Sequence, residues 1–306
     1  MSTKKYLVVI SGPTAVGKTD LCIALAQQFG TEIISCDSRQ FYREMNIGTA
    51  KPTPGELARV KHHFIDDLSI HDAYSVGDFE RDGLQLLEEL YTKFDLVFLT
   101  GGSGLYIRAL CEGLDEFPEV PEAVTEHYKQ LFNAEGIGAL QDELHQLDPD
   151  YAAKVDLQNP HRLIRALSVC KASGQPFSSF HGSDKPERPF TPVYICLHRE
   201  REELYDRINR RVDWMMERGL LEEARELFPF QSLNALQTVG YQELFDYFEE
   251  TITLETAVEL IKRNTRRYAK RQGTWFRKND YWQFFAPHES AAIQQYIVEQ
   301  TGLSPV

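Results

Sequence analysis

The feature that most constrains this chain is Gly12-Pro13-Thr14-Ala15-Val16-Gly17-Lys18-Thr19, set between an apolar run, Tyr6–Ile10, and a segment of helical periodicity, Leu21–Phe29. The octet fits G-x-x-x-x-G-K-[ST]. Glycines at those places let main-chain N–H groups converge on phosphate oxygens, and the helix that follows turns its positive end toward the anion. Lys18 adds a point charge, and the Thr19 hydroxyl suits Mg²⁺. Composition alone yields such a match in about 1% of chains of this length, and here the strand–loop–helix context is present as well. The bland alternative is a structural glycine turn. The motif announces a phosphate compound without saying which, and it makes Gly12 through Thr19 candidates for gripping a diphosphate.

The rest of the chain supports an α/β fold. Glu32–Ser35 reads as a second strand, Phe64-Ile65-Asp66 as a short one, Asp95–Leu99 as another, and Val193–Leu197 and Tyr281–Phe285 as two more. Ser75–Tyr91 has apolar residues at helical spacing, and Glu200–Leu227 and Leu254–Phe276 read as long helices. Strands alternating with helices imply a parallel sheet covered on both faces, here a P-loop NTPase-like sheet flanked by helices. From about residue 115 to 185 the pattern is helical with almost no β-branched runs, and it ends in the loop-like Gly182-Ser183-Asp184-Lys185-Pro186. The expected organisation is a catalytic core of residues 1–114 and 186–306 carrying a helical insertion domain at 115–185.

Composition excludes several classes. With 42% hydrophobic and 26% charged residues over 306 positions, the chain is of ordinary globular type. It has no run of the ~18–20 apolar residues a membrane span needs, and its first residues, Met1-Ser2-Thr3-Lys4-Lys5, lead straight into a strand, so the cytoplasm is expected. Five scattered cysteines lack metal-site spacing and read as free thiols. His62-His63 comes with no zinc motif. The net charge of −13 argues against a polyanion partner, yet Lys262–Lys278 holds eight basic residues and no acidic one. Arg263, Arg266, Lys270 and Arg277 recur at helical steps, with Arg267 and Arg271 beside them. A solvated charged face is the bland reading. With no acid in the segment to form i,i+4 pairs, a polyanion partner is the better one. Tyr268, Trp275 and Phe276 in the same segment read as core.

Two further places bear on chemistry. Asp37-Ser38 follows the second strand on the carboxyl edge of the sheet, where ligands sit; Asp37 there is a magnesium ligand, a general base or a helix N-cap. Thr100-Gly101-Gly102-Ser103-Gly104 makes a second strand-to-helix turn at that edge, offering main-chain donors and a hydroxyl. No acid ends the strand Asp95–Leu99, where nucleotide hydrolases place a magnesium-binding Asp.

Taken together these blocks resemble the tRNA dimethylallyltransferases, or isopentenyltransferases. The loop Gly12–Thr19, Ile34–Tyr42, Met45–Pro52, Gly101–Tyr106, Asn159–Leu167, Ala235–Tyr241 and Thr265–Gln272 all match, in family order, over nearly the whole chain. The resemblance implies transfer of a dimethylallyl group from dimethylallyl diphosphate to N6 of the adenosine 3′-adjacent to the anticodon. It makes Asp37 the base for that amine, and it puts Ser103, where the family usually has Thr, beside the diphosphate. Among Arg207, Arg210 and Arg211, the Arg-Val-Asp pattern points to Arg211. Asp37, Ser38, Arg39 and Gln40, with His161, Arg162, Leu163, Ile164 and Arg165, would contact tRNA, and the insertion would grip the anticodon stem. Arg263, Arg266, Arg267 and Lys270 join them as the basic face. The implied cofactor is Mg²⁺ on Thr19, and the implied partners are the tRNA anticodon stem-loop and dimethylallyl diphosphate, with no membrane and a single copy of the chain. Thr125, where many members carry Arg, and Gly273, where an apolar residue is usual, depart from the pattern. A P-loop small-molecule kinase and an adenylate isopentenyltransferase are the competing readings, and neither needs the basic helix.

Overall fold

A computed structural model describes residues 4–182 and 186–306. Met1, Ser2 and Thr3, and the Ser183-Asp184-Lys185 stretch on which the expected insertion boundary falls, lie outside the described residues. The chain forms two compact units, one built from residues up to Cys111 together with Arg188–Val306, the other from Glu112–Glu187.

The first unit is organised by a parallel sheet. In chain order its elements are β1 (Tyr6–Ser11), α1 (Lys18–Gln28), β2 (Ile33–Ser35), α2 (Pro54–Leu57), β3 (His62–His63), α3 (Val76–Leu90), β4 (Leu96–Gly101) and α4 (Gly104–Glu112). The second unit carries α5 (Glu122–Glu135), α6 (Ile137–Leu147), α7 (Pro149–Ala152) and α8 (Pro160–Ser173). The first unit resumes with β5 (Thr191–Leu197), α9 (Arg201–Glu217), α10 (Leu220–Leu227), α11 (Gln242–Phe248), α12 (Leu254–Phe276), β6 (Gln283–Phe285) and α13 (Ser290–Thr301). The sheet runs β3-β2-β4-β1-β5-β6, parallel throughout.

Successive side chains of a strand point to opposite faces, so a central strand of a covered sheet must be apolar on both. β1 meets that demand. Tyr6, Val8 and Ile10 pack with Ile23 and Leu25 of α1 and Ile293 and Ile297 of α13, while Leu7 and Val9 pack with Phe79 and Leu87 of α3 and Ile107 and Leu110 of α4. A third cluster joins α9 to α12 through Val212, Met215, Leu220, Leu244 and Ile261. The second unit has its own core, with Tyr128, Leu140, Leu144, Leu163 and Leu167 fully buried. Helix starts follow the expected chemistry. Ser75 and Asp78 form a capping box on α3, Asn159 caps α8 ahead of Pro160, and Thr253 caps α12.

Three sequence expectations are corrected. The short strand expected at Phe64-Ile65-Asp66 lies at His62–His63, paired with Ile33–Ile34; Phe64 and Asp66 have positive φ and leave the extended conformation. The apolar signal there comes from Phe64 packing on Phe41 and Phe79. The single helix expected over Glu200–Leu227 is two, because Gly219 (φ 99°) turns the chain between α9 and α10. Tyr281 and Trp282 precede the last strand rather than belong to it.

Candidate active site

Strands β1, β2, β4 and β5 deliver their carboxyl ends to one edge of the sheet, and the site is built there. The loop after β1 needs three unusual backbone conformations, Gly12 at φ 141°, Ala15 at φ 63° and Gly17 at φ 110°. At Gly12 space is lacking too: an added Cβ would stand 2.6 Å from the carbonyl oxygen of Leu197 at the end of β5. The loop folds back over Lys18, whose ammonium donates to the carbonyls of Gly12 (3.0 Å) and Pro13 (2.9 Å). Burial pulls the Lys18 pKa down to about 8, partly opposed by the Asp37 charge and reinforced by Arg211.

Arginines from beyond β5 hold the outer side of the same loop. Arg207 Nε donates to the Ala15 carbonyl and Arg199 Nε to the Val16 carbonyl, each at 2.8 Å. Arg211 Nη1 donates to Thr14 Oγ1 at 3.3 Å. Its guanidinium pKa is lowered by burial, against the pull of Asp37. Of the three arginines weighed from sequence, Arg211 and Arg207 thus face the loop, while Arg210 pairs with Asp206 in solvent. Arg199 was not singled out from sequence. Its position just after a buried parallel strand was the available signal.

Across from Lys18, Asp37 accepts from Arg39 N–H at 3.1 Å. This is an Asx turn within the loop after β2, and no helix begins there, so the N-cap alternative falls. Ser38 meets Ser103 at 3.5 Å through both its N–H and its hydroxyl. Gln40 donates its amide to the carbonyls of Thr49 (3.1 Å) and Ala50 (3.3 Å), bracing the cavity wall.

The glycines of the 101–104 turn have a purpose the sequence did not disclose. An added Cβ on Gly101 would stand 2.5 Å from Cys36 Sγ, and those on Gly102 and Gly104 would fall on Gln272 and on the Trp275 ring of α12. They are absences of side chain that let β2 and α12 press against the turn, where main-chain donors to an anion were expected.

Two cavities meet at this edge, of about 490 and 500 Å³. Both are lined by Thr14, Lys18, Asp37, Thr49, Ala50 and Arg211. The first continues past Ile208, Val212, Met215, Val239 and Ile261 to Tyr268 and Arg271. The second opens past Thr19, Lys51, Glu56, Arg207 and Trp214. The shared wall at residues 46–50 is fixed by Glu223 of α10, which accepts from the main-chain N–H groups of Asn46, Ile47 and Gly48 and from the Tyr241 hydroxyl. Gly48 admits no side chain, since a Cβ would lie 2.6 Å from the Tyr241 ring. Glu223 was missed from sequence because nothing local marks an acid on a helix face as a clamp for a loop far along the chain.

The basic helix α12 divides into two faces. Tyr268, Gln272 and Trp275, at i, i+4 and i+7, face the site; Arg263, Lys270 and Arg277 lie on the opposite side, exposed together with Arg267. Two basic residues are committed elsewhere. Lys262 pairs with Asp213 (2.7 Å) and Glu259 (3.2 Å), and Arg266 donates to Asn209 Oδ1 at 2.5 Å. So the missing acids of this segment are supplied in part from outside it, and Arg266 leaves the list of exposed contacts. In the second unit His161, Arg162 and Arg165 are exposed on α8, whereas Leu163 and Ile164 are buried in its core. Those two side chains are therefore withdrawn as contacts.

The glycine loop folded over Lys18, with Asp37 across from it and β4 closing on Thr100-Gly101, stands at the carboxyl edge of a parallel sheet flanked by helices. The chain belongs to the IPP transferase family, whose model matches residues 40–279. Among curated relatives, the tRNA dimethylallyltransferase of Christiangramia forsetii is 54% identical over 293 residues, covering 95% of this chain and 97% of that protein. That of Flavobacterium johnsoniae is 51% identical, over 96% of this chain and 98% of its own. Among solved structures, the tRNA isopentenylpyrophosphate transferase of Bacillus halodurans superposes with a TM-score of 0.74 at 39% identity, covering 98% of this chain and 97% of that one. A eukaryotic dimethylallyltransferase acting on tRNA reaches 0.81 at 25% identity, covering 99% and 81%.

The Lys18 environment predicts an alkaline limb. A lysine with its pKa lowered to about 8 is charged below that pH and neutral above it. The enzyme's kcat/KM therefore falls as pH rises past about 8, and Lys18→Arg, always charged, removes that fall while lowering the plateau. The two faces of α12 predict a separation of effects. Replacing Arg263, Arg267 and Lys270 with Gln weakens RNA binding and flattens its dependence on salt by up to about three counterions. Arg266→Gln instead loosens the contact to α9 and shows in thermal unfolding.

Proposed function

We propose that this chain transfers a dimethylallyl group from dimethylallyl diphosphate to N6 of the adenosine 3′-adjacent to the anticodon in tRNA. The observation that carries this reading is the meeting of two cavities at a shared set of groups, Lys18, Arg211 and Thr14 for an anion and Asp37 for an amine. The cavity that runs out past Tyr268 and Arg271 of α12 is assigned to the base, and the one bounded by Thr19, Arg207 and Trp214 to the donor.

The chemistry asks little of the protein beyond placement and charge. The N6 lone pair of adenine is delocalised into the ring, so attack needs a base to accept the proton as the new bond forms. N6 bonds to the allylic carbon, the carbon–oxygen bond to diphosphate breaks, and its electron pair leaves on the diphosphate. Asp37 takes the proton. Lys18, relinquishing the Gly12 and Pro13 carbonyls, and Arg211 stabilise the departing charge, while Ser103 meets Ser38 of the loop after β2. Held by Thr19 and the donor's own oxygens, one Mg²⁺ would neutralise the leaving group further. The residues suit such an ion: Thr19 and Asp37 line one small cavity, and among the described residues no cluster of three or more His, Cys, Asp or Glu could hold a metal unaided. Flipping the base out of its stack costs a few kcal/mol, least in an anticodon loop.

The tRNA contacts proposed are Ser38 and Arg39 at the site, Arg263, Arg267 and Lys270 on α12, and His161, Arg162 and Arg165 on the insertion. No helix among the described residues is long and apolar enough to cross a membrane. We place the enzyme in the cytoplasm, with its RNA substrate, as a single copy.

Mass spectrometry of nucleosides from tRNA incubated with the protein tests the reading. Dimethylallyl diphosphate alone yields prenylated adenosine; ATP-dependent phosphorylation of a small acceptor, without prenyl transfer, supports a kinase instead. Asp37→Asn keeps an oxygen to accept from Arg39 N–H but cannot take a proton. It should fold and bind tRNA normally and lose about 10²–10⁴ in turnover. Turnover close to that of the unaltered enzyme reduces Asp37 to its turn.

A further inference from the structure

Gln272 links the helix proposed to carry RNA with the loop proposed to carry the donor. Its side chain is 7% exposed. Its Oε1 accepts from Thr14 N–H at 2.9 Å, and its Nε2 donates to the Gly102 carbonyl at 2.9 Å. A primary amide can accept at one end and donate at the other, and here each end serves a different loop. The residues on either side of Ser103 lack side chains so that Gln272 and Trp275 can be seated there. Thr14 in turn meets Arg211 through its hydroxyl. One face of α12 thus fixes Thr14, Gly102 and the turn bearing Ser103, while the opposite face presents Arg263, Lys270 and Arg277 to solvent.

We propose that Gln272 is a positioning residue that transmits the seating of α12 to the donor cradle, so that RNA on the outer face and diphosphate in the loop favour each other's binding. This rests on the assignment of RNA to α12 and of the donor to the loop. Two binding events that stabilise one arrangement of a shared helix must be coupled, and the coupling is reciprocal. Losing either end of the amide leaves a main-chain group of the cradle without its partner.

The test measures donor KM and kcat/KM by steady-state turnover, and affinity for a non-reactive donor analogue by calorimetry with and without an anticodon stem-loop, in the unaltered enzyme, Gln272→Met, Gln272→Glu and Lys18→Ala. Methionine nearly preserves volume and removes both hydrogen bonds. It should raise the donor KM about 10-fold, leave RNA affinity in the absence of donor within about twofold, and abolish the tightening of donor by RNA. Gln272→Glu gives a signature that packing alone would not. Burial holds the new carboxyl's pKa above its ordinary value, and only its protonated form can both accept from Thr14 and donate to Gly102. Its kcat/KM relative to the unaltered enzyme therefore recovers as pH falls. An unchanged donor KM and RNA dependence in Gln272→Met, or a pH-independent deficit in Gln272→Glu, overturns the proposal. If Lys18→Ala abolishes donor binding while Gln272→Met behaves as the unaltered enzyme, only this inference fails; if Lys18→Ala binds donor normally, the cradle assignment fails with it.

Discussion

Three stretches of main chain must approach one another at the carboxyl edge of the sheet more closely than side chains allow. An added Cβ at Gly12 would meet the β5 carbonyl of Leu197, and one at Gly101 the end of β2. At Gly102 it would meet a side chain of α12. The parallel sheet makes this convergence possible because β1, β2, β4 and β5 all end on that edge. Glycine makes it achievable, at a cost in chain entropy that the packed sheet below offsets. The loop after β1, the start of the loop after β2 and the 101–104 turn are brought together by this crowding.

A second constraint follows from burial. Lys18 and Arg211 are held where water screens them poorly, and the pKa values of both are depressed for that reason. Carbonyls of the loop and the charge of Asp37 partly compensate. A half-buried cationic site short of counter-charge is a poor bargain for stability alone. It is well suited to an incoming diphosphate, which restores the balance and needs no reorganisation of dipoles to do so. Tyr268 is 39% exposed, yet desolvation of its hydroxyl and then Asp37 push its pKa up to about 12, so it stays neutral beside them.

Much of this was legible in the sequence because it is local. The loop octet, the strand before it, and the alternation of strands with helices all follow from spacing and residue type. The blocks from residue 34 to 52 and from 235 to 241 were recognisable as matching a family, and the structure places them on the walls of the two cavities. What was hidden depends on contacts distant in sequence. Glu223 reaches residues 46–48, Gln272 reaches Thr14, and Arg199 reaches Val16. Arg266 looked like its neighbours until Asn209 claimed it. Leu163 and Ile164 came with the block His161–Arg165 that the family resemblance implied, yet helical periodicity turns their side chains into the core. The break at Gly219 was hidden because a single glycine in a helical pattern is ambiguous until its φ is known.

The proposed function requires that the base and the donor reach Asp37 and Lys18 through different cavities and meet there. A crystal structure of the protein with a non-hydrolysable dimethylallyl diphosphate analogue and an anticodon stem-loop tests it most directly. The account requires the diphosphate to lie against Gly12–Thr19 on the Thr19 and Arg207 side. It also requires the unpaired adenine to enter past Tyr268, with N6 within hydrogen-bonding distance of the Asp37 carboxylate. A base stacked elsewhere, or analogue and base sharing one cavity with Asp37 facing neither, would contradict it.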